Sequence, residues 1–227
     1  MEQKVTFKNG AGQKLAGILH VPEGEGPFAA VVRAHGYSGS KDGRTGQVLA
    51  EHFQDVVFFR FDFHGHGESE GHFEDVDAAQ CIDDLKCAIE YVASLEQVNN
   101  NKIAVTGSSL GGLSTLLAVA WHGNVSCAVP VCPVSRINNL RGTQIKYQQL
   151  VDTNIHEECE AIEIPLLIVH GDKDDIVPIK DSQDLIEHLG RGELHTVKGA
   201  NHVFEGINEY KEYIDTVVSF IRGHFDG

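Results

Sequence analysis

Five runs dominated by apolar residues constrain this chain more than any other feature. They are residues 28–32 (FAAVV), 56–62 (VVFFRFD), 103–106 (IAVT), 125–131 (VSCAVPV) and 165–169 (PLLIV). Each has the length of a strand and is apolar at successive positions, the pattern of a strand buried on both faces. Pro130 has no N–H to donate and is expected at the end of its strand. Between the runs lie helical stretches. Residues 43–53 form one. In residues 76–95, Val76, Ala79, Ile82, Leu85, Ile89 and Val92 recur every three or four positions, which predicts an amphipathic helix. Leu113 to Trp121 reads as a buried helix. Ile179 to Leu189 predicts a helix stopped by Gly190. A short strand at 193–197 precedes a last helix with Ile207, Tyr210, Ile214, Val217 and Ile221 on one face. At the start, residues 3–8 and 14–22 alternate around Asn9-Gly10-Ala11-Gly12 and predict a hairpin.

Strands that alternate with helices predict an α/β fold: a mainly parallel sheet with helices on both faces. At 227 residues the chain is expected to be a single domain, 1–227. Only Pro133 to Ile164 breaks the alternation. This stretch is polar, with Ile137, Leu140, Ile145, Tyr147, Leu150 and Ile155 scattered through it. It reads as a small cap or lid at 133–164 with one or two helices, or as one crossover helix with loops.

In a parallel sheet of this kind, ligands bind at the carboxyl ends of the strands. The loops that leave those ends carry the chemical signals. Lys102 to Ala118 reads strand, Gly107-Ser108-Ser109-Leu110-Gly111, helix. That is the layout of a nucleophile elbow, in which a sharp turn holds the central serine exposed. Residues two before and two after the serine must be small, and Gly107 and Gly111 stand there. The helix N-terminus turns free N–H groups toward a developing oxyanion. A plain glycine-rich turn would have the same spelling. The loop Arg33-Ala34-His35-Gly36-Tyr37-Ser38-Gly39 leaves another central strand. It is either a tight turn or the source of a second oxyanion donor, the Tyr37 N–H, paired with that of Leu110.

A serine hydroxyl needs a base to take its proton and an acid to orient that base. Ser109, Asp174 and His202 follow one another in the Ser–acid–His order that accompanies this elbow. Asp174 and His202 both stand just after predicted strands. Asp172 and Asp175 compete with Asp174 for the acid's place, and a solvated turn that caps the helix after Pro178 is the plain alternative for all three. Ile145 and Tyr147 of the insertion, with Val177 and Val203 beside the acid and the base, are candidate substrate contacts. Asp62 with His64, His66 and His72 raises a metal site as an alternative to a structural loop, and the loop is preferred because no further ligand cluster is evident.

The net charge of −15 argues against nucleic acid or an anionic membrane as partner. No run approaches the 18 apolar residues of a membrane span, and the N-terminus, MEQKVTFKNG, lacks a signal segment. The five cysteines are odd in number and have no metal-type spacing, which predicts reduced, mostly buried thiols and a cytoplasmic protein.

His35-Gly36-Tyr37, Phe61-Asp62-Phe63-His64-Gly65-His66-Gly67-Glu68-Ser69, Gly107-Ser108-Ser109-Leu110-Gly111-Gly112, Gly171-Asp172-Lys173-Asp174-Asp175-Ile176-Val177-Pro178 and Gly199-Ala200-Asn201-His202 together resemble the α/β-hydrolase superfamily over nearly the whole chain. The resemblance is strongest to the serine-aminopeptidase-like group, which includes monoacylglycerol lipases and bacterial cinnamoyl or feruloyl esterases. It implies an α/β-hydrolase fold and Asp174 as the acid, the fourth residue of Gly-x-x-Asp-x-x-Val. It also implies Tyr37 as an oxyanion donor. Two departures stand out: Leu110 replaces the glutamine usual after the nucleophile of feruloyl esterases, and residues 133–164 are shorter than their usual insertion. The expected activity is that of a serine hydrolase on small or medium acyl esters, with a small-molecule ester as partner and no metal or organic cofactor. A thioesterase or aminopeptidase would use the same triad. A non-catalytic binding protein of the same fold is the reading from another class. The sequence does not fix the oligomeric state.

Overall fold

The computed structural model describes residues 2–140 and 143–225. Its centre is an eight-stranded sheet. In chain order the strands are β1 (Glu2–Lys8), β2 (Lys14–His20), β3 (Phe28–Ala34), β4 (Val57–Phe61), β5 (Val98–Ser108), β6 (Cys127–Val131), β7 (Leu166–Gly171) and β8 (Gly192–Val197). Their spatial order is β1-β2-β4-β3-β5-β6-β7-β8. β1 pairs antiparallel with β2, and β2 antiparallel with β4. All other pairs are parallel. The expected hairpin is thus the antiparallel edge of an otherwise parallel sheet.

The helices are α1 (Arg44–His52), α2 (Ala78–Ala93), α3 (Leu110–His122), α4 (Ile155–Cys159), α5 (Ile179–Ile186) and α6 (Ile207–Phe225). Burial on both sheet faces explains the uninterrupted apolar runs. Alternate residues of one strand serve two cores: Ile103 and Val105 of β5 pack under α2 and α3, while Ala104 joins the core under α1 and α6. α2 starts where Asp77 accepts the N–H groups of Ala79 and Gln80, a side-chain N-cap.

Two local expectations change. α5 ends at Ile186 with Glu187 as its C-cap, so Gly190 lies in the following turn rather than at the helix stop. Pro130 sits inside β6, opposite Gly107 of β5. The N–H groups of Ala128 and Cys132 donate toward the β7 side, to Pro165 and Val169. The nitrogen of Pro130 faces the same way, and the β6–β7 ladder has a gap there, between the Ala128–Leu166 and Val131–Val169 pairs. A central strand tolerates the proline because only one rung is missing.

Residues 133–164 connect β6 to β7 through two short 3-10 turns, Ile137–Leu140 and Gln148–Leu150, and then α4. Asp77 and Lys146 form an isolated bridge that ties this connection to the start of α2. Among the described residues no helix is long and apolar enough to cross a membrane. The five cysteines are free thiols, four of them buried.

Candidate active site

Ser109 stands between β5 and α3 at φ 56° and ψ −112°, a backbone region that non-glycine residues rarely enter. The turn is too tight for side chains on either flank. A Cβ at Gly107 would lie 2.3 Å from the Gly111 carbonyl oxygen, and one at Gly111 would lie 2.5 Å from the His35 oxygen. The Ser109 N–H donates to the Val131 carbonyl at 2.9 Å, which ties the elbow to β6.

The loop after β3 comes up beside the elbow. A Cβ on Gly36 would meet the Ser109 Cβ at 3.5 Å and the Ser108 oxygen at 3.2 Å. His35 braces this loop. Its Nδ1 lies 2.7 Å from the Gly36 oxygen and its Nε2 accepts the Phe63 N–H at 3.1 Å. That pairing requires the neutral ring with the proton on Nδ1. Burial pushes the His35 pKa down to about 3, against a weaker upward pull from the Gly36 carbonyl.

Asp62, fully buried, joins the same loop to the one after β4. Its carboxylate accepts the N–H groups of Lys41 at 2.6 Å and Glu68 at 3.0 Å, and pairs with the Lys41 ammonium at 3.1 Å. That ammonium also meets Asp42 and Glu68, each at 2.7 Å. Burial would lower the Lys41 pKa, but the three carboxylates outweigh it and raise it. Gly67, at φ 52°, leaves no room for a Cβ over the Asp62 carboxylate. His64 gives Nδ1 to Asp84 at 2.8 Å and accepts the Asp77 N–H on Nε2 at 3.1 Å. Asp62 and His64 are thus engaged in holding loops, and His64 and Asp84 also stand beside Cys81, the three ligand atoms within 4.8 Å of one another.

Asp174 follows β7. One carboxylate oxygen accepts the Ile176 and Val177 N–H groups at 2.9 and 2.8 Å. The other accepts His202 Nδ1 at 2.6 Å. The same oxygen lies 3.2 Å from His170 Nε2, which also faces the Val177 carbonyl at 3.0 Å and so carries its proton. Burial would raise the Asp174 pKa, but the hydrogen bonds from His170 and His202 outweigh it and hold the carboxyl well below the usual range. The Cys132 thiol is also close, and burial pushes its pKa well up, so it stays protonated beside the carboxylate. Asp172 is used elsewhere: it accepts the Gly199 N–H at 2.6 Å.

Ser109 and His202 line one cavity of about 180 Å³, together with Gly36, Tyr37, Thr45, Val203, Phe204 and Tyr213. Among the described residues no hydrogen bond joins Ser109 Oγ to His202, a contact that in unliganded sites often forms only with substrate. Tyr37 stacks on Phe73 at 4.9 Å, and its ring lies 6.2 Å from that of His66. The Tyr37 hydroxyl and His66 Nε2 are both buried without a partner.

The four candidate substrate contacts separate. Val203 is 60% exposed and lines the cavity. Ile145 and Val177 are buried in the hydrophobic core, and Tyr147 packs against it. Val177 donates its backbone N–H to Asp174 instead. The sequence shows Ile145 as apolar but does not tell core from cavity. Sequence reasoning passed over Thr45 and Tyr213, which sit on α1 and α6 with no local motif. It also passed over His170, although His170 opens the Gly171-Asp172-Lys173-Asp174 loop.

Comparisons place this geometry among known proteins. An uncharacterized protein of Salmonella typhimurium, YfhR, is 30% identical over 244 residues, covering 97% of this chain and 81% of YfhR. The esterase Est1E from Butyrivibrio proteoclasticus, solved with ferulic acid, superposes with a TM-score of 0.86 at 22% identity, covering 98% of this chain and all of Est1E. The α/β hydrolase GrgF from Penicillium superposes at 0.85 and 22% identity, with both chains fully covered. The sheet, its helices and its strand order are those of the α/β-hydrolase fold. The prolyl oligopeptidase family profile matches residues 46–227, a span that takes in the elbow, the Asp174 loop and His202, and the chain belongs to that family of serine hydrolases.

Proposed function

We propose that the protein is a serine esterase that cleaves small-molecule acyl esters through Ser109, His202 and Asp174. The observation that carries this reading is the Asp174–His202 pair facing the Ser109 cavity. His202 gives Nδ1 to the carboxylate at 2.6 Å, which fixes the tautomer with a free Nε2 on the cavity side. Ser109 attacks the ester carbonyl while Nε2 takes its proton. Asp174 stabilises the imidazolium that forms. The Leu110 and Tyr37 N–H groups bind the oxyanion: Leu110 is the first residue of α3, and Tyr37 follows the Gly36 contact with Ser109. His202 then protonates the leaving alcohol and later activates a water that cleaves the acyl-enzyme. This chemistry requires no metal or organic cofactor.

The cavity volume of about 180 Å³ favours small acyl groups, since sites for drug-sized ligands run to roughly 300–1,000 Å³. Its walls come from the strand-end loops, α1 and α6, and among the described residues none of 133–164 lines it. Ester neighbours such as Est1E support an ester over an amide substrate.

The test is turnover of nitrophenyl esters of graded chain length with a fluorophosphonate label. Wild type should turn over the short esters and take one label. Ser109→Ala should take none and lose on the order of 10⁶ in turnover. An unlabelled wild type with no ester turnover would sink the reading.

A further inference from the structure

Arg33 is a buried cation without an anion. It lies on β3, on the face covered by α1 and α6, and is 6% exposed. Its neighbours across the sheet are Arg60 on β4 and Thr106 on β5. Neither offers it an acceptor. Arg60 is paired with Glu2 at 2.6 Å and donates to the Lys41 carbonyl at 2.8 Å, and Thr106 spends its hydroxyl on the Val129 carbonyl. Burial is the main influence on the Arg33 guanidinium and lowers its pKa, Tyr213 and Tyr210 oppose it, and the like charge of Arg60 adds to it. Among the described residues no carboxylate pairs with it. The chain has 33 acidic residues against 18 Lys and Arg, so this is not for want of carboxylates. An unpaired buried charge costs several kcal/mol, and such costs persist where a ligand supplies the missing partner.

A second feature meets the first. α1 starts at Arg44 with no acidic side chain in its first turn, and its N-cap, Gly43, makes no side-chain hydrogen bond. The leading N–H groups of a helix in that state await an acceptor. Arg33 reaches this turn: a Cβ at Gly46 would lie 3.5 Å from Arg33 Nη1. Thr45 of the same turn and Tyr213 form part of the wall of the Ser109 cavity. Arg33 is level with Thr106, three residues before Ser109 on β5.

We propose that the Arg33 guanidinium and the first turn of α1 form a carboxylate subsite at the base of the Ser109 cavity, so that the preferred substrates are esters bearing a second, ionised carboxylate. Arginine with helix N–H groups is a donor set suited to a planar anion. The inference rests on the esterase reading for its substrate class, while the subsite itself is open to direct binding.

Two measurements test it. The first compares kcat/KM for nitrophenyl hemisuccinate and hemiglutarate, which carry the carboxylate on the acyl group, with nitrophenyl butyrate and valerate. A third arm uses 4-butyryloxybenzoate, which carries it on the leaving group. One acidic arm should be preferred over its neutral counterpart by about tenfold or more, and the preferred arm assigns the carboxylate to the acyl or alcohol side. Arg33→Gln should erase that ratio, and Arg33→Lys should keep part of it. An unchanged acid-to-neutral ratio in Arg33→Gln overturns the proposal. The second measurement titrates glutarate into Ser109→Ala by calorimetry and follows the melting temperature of the wild type with glutarate. Arg33-dependent binding without ester turnover would uphold the subsite and reject the esterase reading. Ester turnover with no acid preference and no glutarate effect on the wild type would reject the subsite alone. The wild-type measurement decides the matter even where an Arg33 variant fails to fold.

Discussion

At the scale of single residues, the proposed acid gives the sharpest test. Asp172, Asp174 and Asp175 stand within four positions, and spacing alone leaves them in competition. Geometry separates them: Asp174 holds His202, while Asp172 holds the Gly199 N–H at the neighbouring turn. Asp174→Asn should therefore cost roughly 10³–10⁴ in turnover, because an amide can present a donor to Nδ1 and favour the wrong tautomer. Asp172→Asn keeps an oxygen for Gly199 and should stay within a few-fold of wild type. Steady-state kinetics on one short nitrophenyl ester measures both, and the reverse order would move the acid to Asp172. Much of the candidate site was legible because strand ends and motif order confine Ser109, Asp174 and His202 to a few positions. Val177 and Ile145 show the limit. An apolar side chain beside a functional loop reads the same whether it faces the core or the ligand. Arg33 shows another limit: at the end of an apolar run it reads as the start of a loop, and only the fold sets it within β3 and encloses it.

At the scale of elements, the two loops that leave β3 and β4 behave as one piece. Lys41 and Asp62 link them through a backbone bond, an ion pair and a shared Glu68. Lys41 is 1% exposed and Asp62 fully buried, so removing one charge strands the other. Lys41→Met should destabilise the protein by about 3 kcal/mol and lower turnover further than that loss of folded protein explains, since the Tyr37 loop loses its anchor. Urea unfolding and specific activity at saturating substrate read the two effects. A stable variant with full activity would show that the pair does not position the loop. The strands and helices themselves were mostly visible in the sequence, since two-sided burial writes continuous apolar runs and one-sided burial writes the 3.6-residue period. Pro130 escaped that logic. Its effect depends on which neighbour its nitrogen faces, and pairing is a tertiary property. The connection at 133–164 was visible only as an interruption, because its short turns carry no period.

At the scale of the whole molecule, acid sensitivity follows from two buried groups. His35 has its pKa lowered to about 3, so between that value and its ordinary 6.5 the unfolded chain binds a proton that the folded chain refuses. Its contribution to stability is complete above pH 6.5 and falls by about 1.4 kcal/mol per pH unit below it. Asp174 has its pKa depressed below the ordinary 3.8. Its contribution is complete above that value and is lost as the pH drops further. Urea midpoints measured from pH 7.5 to pH 4 should decline from about pH 6.5 and then more steeply near pH 4. A flat profile between pH 7 and pH 5 would contradict the neutral, enclosed His35.

The strand order carries a consequence for how the site comes into being. Gly36 follows β3, Ser109 follows β5, Asp174 follows β7 and His202 follows β8, so the cavity and the carboxylate behind its histidine gather residues from positions 36 to 213 of the chain. No local segment contains a working fragment of it. Parallel pairings of this kind close long loops and form slowly. During synthesis or refolding, helices and isolated turns would precede the assembled cavity, and catalytic competence would be among the last properties acquired. On the esterase reading, a partly folded chain is therefore inert toward esters, and hydrolysis would report completed topology rather than compaction.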